Sequence, residues 1–263
     1  MSQIPSPTYR RISFSREPEI QCMWIPGWGG SSWSLLPFAE KFGFGTHFLF
    51  DHIHARQLER GTALSIEDMA HALRAALPDE ISSFHLVGIS MGGLISAVLA
   101  NLPELNIRSL HLCCTNTGGL GGHRPISESA STRWWEPIKK GEDPLRKILG
   151  LCVSKKFRAS DEFEEYLTHC SQIPTPVTGS TLKMQWNAIG NFSSLPFLEK
   201  TKIPSFLYEG EEDAVVATGE GERLLESLKP LSRHILPGGH LFFLEDFESF
   251  HPVFYKNIQY CLG

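Results

Sequence analysis

The segment Gly88-Ile89-Ser90-Met91-Gly92 follows the apolar run "SFHLVGIS" and leads directly into "GGLISAVLANLP". Ser90 therefore sits where a buried strand turns sharply into a helix. A turn of that kind presents a serine hydroxyl as a nucleophile. It also demands small residues two before and two after, because side chains there would collide with neighbouring backbone. The alternative is a serine that only caps the helix behind it.

A serine hydroxyl is a weak nucleophile, so it needs a base, and the base needs a partner that fixes its tautomer. Eleven histidines compete for the first role. His240, in "LPGGHLFFLED", lies C-terminal to Ser90 on a glycine-rich loop entering an apolar segment, which suits a ring held over a site. His234 falls inside the last expected strand and His251 inside a terminal helix. His47, His52, His54, His71, His85, His111, His123 and His169 precede the acid or lie on other elements. For the acid, "LYEGEEDAVV" offers Glu209, Glu211, Glu212 and Asp213 just beyond a strand. Asp213 precedes a small apolar run that can bury it, whereas its glutamate neighbours are expected to face water. The order Ser90, Asp213, His240 is nucleophile, acid, base.

The elements that must position these groups alternate. "IQCMWIP", "THFLFD", "SFHLVGIS", "IRSLHLCCT" and "IPSFLYEG" read as buried strands. "SIEDMAHALRAAL" reads as a helix with Ser65 as N-cap and Asp68 at the capping-box position, and "GGLISAVLANLP" as a helix apolar almost all round and ended by Pro103. The expected fold class is α/β, a mostly parallel sheet covered on both faces. Alternation breaks between about Gly118 and Leu195. That span predicts a helical lid, residues 118–195, inserted into a core made of residues 1–117 and 196–263.

Composition narrows the function classes. The chain of 263 residues is 41% apolar and 20% charged, with no apolar run long enough for a bilayer and no apolar signal-peptide core in its first twenty residues, so a cytoplasmic location is expected. Its net charge of −5 argues against a general nucleic-acid binder. The six cysteines show neither CxxC nor zinc-type spacing and read as buried thiols. "DHIH" offers an Asp/His metal cluster, but no second cluster has matching spacing. The loop "WIPGWGGSSW" lacks the Lys-Ser/Thr of a phosphate loop. No cofactor or metal is implied.

These features resemble the α/β-hydrolase family. The likeness covers nearly the whole chain outside the lid: the loop after the first long strand, Asp51, the "SIEDMAHAL" helix, the turn at Ser90, "EGEEDAVV" and "GGHLFFLED". Within the family, "PGWGGSSW" and overall size are similar to the small bacterial carboxylesterases, such as the pimeloyl-acyl-carrier-protein methyl ester esterase of biotin synthesis. The resemblance implies an oxyanion hole formed by the backbone N–H groups of Trp28 and Met91. The family usually has His-Gly where this chain has Pro26-Gly27, a departure that leaves the Trp28 donor intact because proline removes only its own N–H.

The expected reaction is hydrolysis of a carboxylic ester through an acyl-enzyme. Thioesterase, lactonase and C–C hydrolase chemistry would use the same residues, and a non-catalytic ligand receptor is the competitor from another class. Trp28, Trp134, Trp135, Trp186, Phe192, Phe242 and Phe243 could line an apolar acyl pocket or could be ordinary core. Between His123 and Arg158, nine Lys and Arg face four Asp and Glu, a local +5. That charge is either solvated helix surface or a docking site for an acidic acyl carrier protein, for which Arg133, Lys139, Lys140, Lys155 and Lys156 are the candidate residues.

Overall fold

Among the described residues, seven strands form one sheet: β1 (Tyr9–Ser13), β2 (Gln21–Ile25), β3 (Thr46–Phe50), β4 (Phe84–Ile89), β5 (Ile107–Cys113), β6 (Ser205–Gly210) and β7 (Ser232–Leu236). Their spatial order is β1-β3-β2-β4-β5-β6-β7; β1 pairs antiparallel with β3, and all other pairings are parallel. The computed structural model describes residues 6–54, 57–58, 62–140, 145–175 and 177–262, and the side chains of residues 138 and 139 lie outside the description.

Among the described residues, twelve α-helices accompany the sheet: α1 (Ser32–Ala39), α2 (Ile66–Ala75), α3 (Met91–Leu99), α4 (Glu128–Lys140), α5 (Leu145–Cys152), α6 (Lys155–Arg158), α7 (Asp161–Ser171), α8 (Gly179–Gly190), α9 (Leu195–Leu198), α10 (Glu220–Leu228), α11 (Phe242–Glu245) and α12 (Phe247–Tyr260). The capping box expected at α2 is formed, with Ser65 Oγ accepting from the Asp68 N–H and Asp68 from the Ser65 N–H, 3.0 Å each. Every residue of α3 is buried.

The central strands carry apolar side chains on both faces, and their period of two divides the core. Met23, Phe48, Leu86, Leu110 and Leu207 face one cluster with α2, α3, α9 and α10. Trp24, Leu49, Val87 and Tyr208 face another with Leu35 and Phe38 of α1, Phe242 and Phe243 of α11, and Phe250 and Phe254 of α12.

Three elements go beyond the sequence expectations. β1 alternates exposed and half-buried residues at the sheet edge, so no apolar run marks it. The tryptophan-glycine loop ends in α1, capped by Ser31, whose hydroxyl accepts from the Ser34 N–H at 3.3 Å. α10 buries only one stripe, which the pattern of strands obscured. Among the described residues, the α-helices α4 to α8 occupy the interval between β5 and α9.

Candidate active site

The loops that follow β2, β4, β6 and β7 leave the carboxyl end of the sheet together, where open α/β sheets bind ligands. Ser90 directly follows β4 with φ 52° and ψ −118°, a conformation that L-residues rarely adopt, and α3 begins at the next residue. The neighbouring glycines make this turn possible. A Cβ on Gly88 would lie 2.5 Å from Ser96 Oγ, and one on Gly92 would lie 2.1 Å from the Ile25 carbonyl. The strained residue is pinned on both sides: its N–H donates to Cys113 O at 2.9 Å, and its carbonyl accepts from Thr115 Oγ1 at 2.7 Å.

His240 follows β7 on the Gly238-Gly239 turn. Its Nδ1 lies 2.8 Å from Asp213 Oδ2, and both side chains are nearly buried. The other Asp213 oxygen accepts from the N–H groups of Val215 and Val216, at 2.8 and 3.1 Å. A carboxylate so occupied keeps Nδ1 protonated and leaves Nε2 as the acceptor. The other acids of this segment differ: Glu211 and Glu212 are exposed, and Glu209 is paired with Arg233. The loop carrying His240 is fixed by Glu245, whose Oε1 accepts from the N–H of Gly239 at 2.8 Å and of Ser154 at 3.1 Å.

Ser90 and His240 open onto one cavity of about 310 Å³. Pro26, Gly27, Trp28 and Trp33 form part of its wall, and Trp134, Leu145, Ile148, Leu149, Tyr166, Ile173, Val177 and Leu182, from the segment between β5 and β6, form another part. Among the described residues that line it there is no Asp, Glu, Lys or Arg. Such a wall suits an uncharged acyl group. Two thiols, Cys152 and Cys170, also line it, and burial raises both pKa values, Cys170 to about 11. They act as apolar lining, since the thiolate is the reactive form of cysteine.

The N–H groups of Trp28 and Met91 donate to no protein acceptor among the described residues. Met91 is the first residue of α3, so its N–H also lies at the positive end of that helix. The Trp28 side chain is anchored: Nε1 donates to Leu182 O at 2.8 Å, and the ring stacks on Trp134 at 5.0 Å and meets Trp135 and Trp186 at 5.9 and 5.7 Å.

The aromatic residues suggested for an acyl pocket separate. Trp28, Trp134 and Phe243 line the cavity. Phe192 and Phe242 do not; they are 3% and 0% exposed inside the two core clusters, Phe192 stacked on Phe197 and Phe242 packed on Phe250. Both side chains are turned into the core clusters and not toward the cavity, and the expectation for these two is corrected accordingly. Trp135 is half-buried behind Trp28, and Trp186 lines a second cavity of about 260 Å³.

The basic residues also divide. Arg133, Lys155 and Lys156 are exposed, Lys140 pairs with Glu136 at 2.8 Å, and the Lys139 side chain lies outside the described residues. "DHIH" has structural employment: Asp51 accepts from the Ser32 N–H and Thr8 Oγ1 at 2.7 Å each, and His52 meets loop carbonyls. Among the described residues, no three His, Cys, Asp or Glu side chains gather as a metal-ligand set, and no helix is long and apolar enough to cross a membrane.

No protein-family model matches the chain. Mouse monoacylglycerol lipase ABHD6 is 24% identical over 171 residues, 62% of this chain and 51% of that protein, so the chain spans about half the length of the curated relative it matches. Among solved structures, an esterase from Exiguobacterium antarcticum superposes with a TM-score of 0.77 at 15% identity, covering 96% of this chain and 95% of that one. A thermophilic esterase from Thermogutta terrifontis superposes with a TM-score of 0.71 at 17% identity, covering 97% and 93%.

Proposed function

On the α/β-hydrolase fold that this chain has, we propose that it acts as a serine carboxylic-ester hydrolase. The observation that carries the reading is the Asp213-held His240 sharing one apolar cavity with the strained Ser90. Ser90 Oγ attacks the ester carbonyl while His240 Nε2 takes its proton. The tetrahedral oxyanion is held by the Trp28 and Met91 N–H groups. As the intermediate collapses, His240 returns the proton to the leaving alcohol, and water repeats the sequence to free the acid and restore Ser90. Residues 118–195 serve as the lid over residues 1–117 and 196–263. Hydrogen bonds from the lid to both active-site loops support this division, namely Leu182 O with Trp28 and Cys152 O with the Leu241 N–H. The esterases and the lipase with related folds or sequences are consistent with ester chemistry. The test is hydrolysis of p-nitrophenyl butyrate: wild type turns over, and Ser90→Ala loses roughly 10⁵–10⁶-fold in kcat.

A carrier-bound substrate, such as a pimeloyl-acyl-carrier-protein methyl ester, is the finer reading. It is favoured by one feature: exposed Lys155 and Lys156 open α6 directly after Val153 and Ser154, which abut the loop of His240. Arg133, Lys139 and Lys140 complete the proposed docking set. Reversing Lys155 and Lys156 to Glu is expected to lower turnover of a carrier-bound ester several-fold, more at low salt, and to spare p-nitrophenyl butyrate. Equal loss on both substrates would refute docking.

A further inference from the structure

The loop offered as an oxyanion donor begins with Pro26, which contributes no donor of its own, and contains Gly27, Gly29 and Gly30, which give it wide conformational freedom. Two buried polar side chains from distant parts of the chain take hold of it. His52, two residues beyond β3, is 6% exposed, and its Nε2 lies 2.8 Å from Pro26 O and 3.1 Å from Gly27 O. Both partners are acceptors, so Nε2 carries the proton and donates to the two carbonyls. Gln185 of α8, 1% exposed, accepts the Gly29 N–H on Oε1 at 2.9 Å. Beside His52, Asp51 accepts the Ser32 N–H at 2.7 Å, so the end of β3 supports the far end of the loop as well.

We propose that His52 and Gln185 are positioning residues that clamp the Pro26–Gly30 loop and hold the Trp28 N–H where the oxyanion forms. The inference rests on the serine-hydrolase reading. Its physical basis is preorganisation: an oxyanion donor contributes only when it already points at the developing charge, and a misplacement near 1 Å costs on the order of 10²-fold. The clamp also makes the hole depend on α8, because Gln185 and Leu182 hold consecutive residues of the loop.

The experiment measures kcat and KM on a p-nitrophenyl ester, inhibition by a trifluoromethyl ketone that forms a tetrahedral oxyanion, and thermal stability, for wild type, His52→Leu, His52→Gln and Gln185→Leu. The expected result is a fall of about 10–100-fold in kcat for His52→Leu, with KM within about threefold and ketone affinity reduced by a similar factor. His52→Gln keeps an N–H at similar reach and recovers most of the loss. Gln185→Leu shows the same kcat and ketone signature more weakly, so the clamp remains testable where His52→Leu folds poorly. A loss borne by KM alone, or unchanged kcat in both Leu variants of an active wild type, overturns the clamp alone. Absence of wild-type turnover and of labelling at Ser90 overturns the reading beneath it.

Discussion

His240 and Asp213 meet through a single hydrogen bond of 2.8 Å between Nδ1 and Oδ2, while the second Asp213 oxygen is taken by two backbone N–H groups. The carboxylate is thereby oriented by the chain itself, and the ring is oriented by the carboxylate. Asp213→Asn preserves the shape and replaces the acceptor by an amide that can turn its N–H toward the ring, favouring the wrong tautomer. The expected loss in kcat is about 10³–10⁴-fold with little change in melting temperature, read by steady-state kinetics and thermal denaturation.

Cavity wall and core are expected to respond differently. Ile148 lines the cavity, so Ile148→Trp fills acyl space and should shift the preferred p-nitrophenyl ester toward shorter chains. Phe242 is fully buried under the sheet, so Phe242→Ala should cost roughly 3–5 kcal/mol, lowering the melting temperature by about 10 °C, and leave chain-length preference unchanged. A chain-length series run with thermal melts on both variants separates the roles.

Much of this was legible because it is local. The strand, the strained serine and the helix of residues 84–99 are contiguous, so the glycine spacing reported them directly. Asp213 and His240 were legible from order along the chain and from loops at strand ends. The rest depends on contacts between distant residues. Gly29 and Gln185 are 156 positions apart, and Pro26 and His52 are 26 apart, so no local pattern reports either pair. The aliphatic part of the wall is not legible in the sequence because Leu145, Ile148 and Leu182 look like any helix face. Phe192 and Phe242 face the core and not the cavity, a difference the sequence does not carry because residue type records the cost of exposure and not the face that is covered.

Acid should unfold the protein through histidines that the reaction does not use. Burial among aromatic rings and strands lowers His47 and His85 from 6.5 to about 4, and His111, wedged between Ser109 and Tyr208, lies well below its ordinary value. These rings stay neutral in the fold and are protonated in the unfolded chain below about pH 6.5, so the unfolded state binds more protons there. Their contribution to stability is complete above pH 6.5 and is lost as pH falls toward 4, about 3 kcal/mol for each of His47 and His85. Urea midpoints measured between pH 7.5 and 4 should fall across that window. A flat profile would contradict the burial assignment.

The central claim is that Ser90 is an activated nucleophile. Incubation with a fluorophosphonate probe, followed by intact-protein and peptide mass spectrometry, tests it without knowledge of the substrate. The expected result is one probe per chain, attached at Ser90, with none on a folded Ser90→Ala variant and strongly slowed labelling in His240→Ala. Folded wild-type protein that stays unlabelled, or that is labelled at another residue, would contradict the claim.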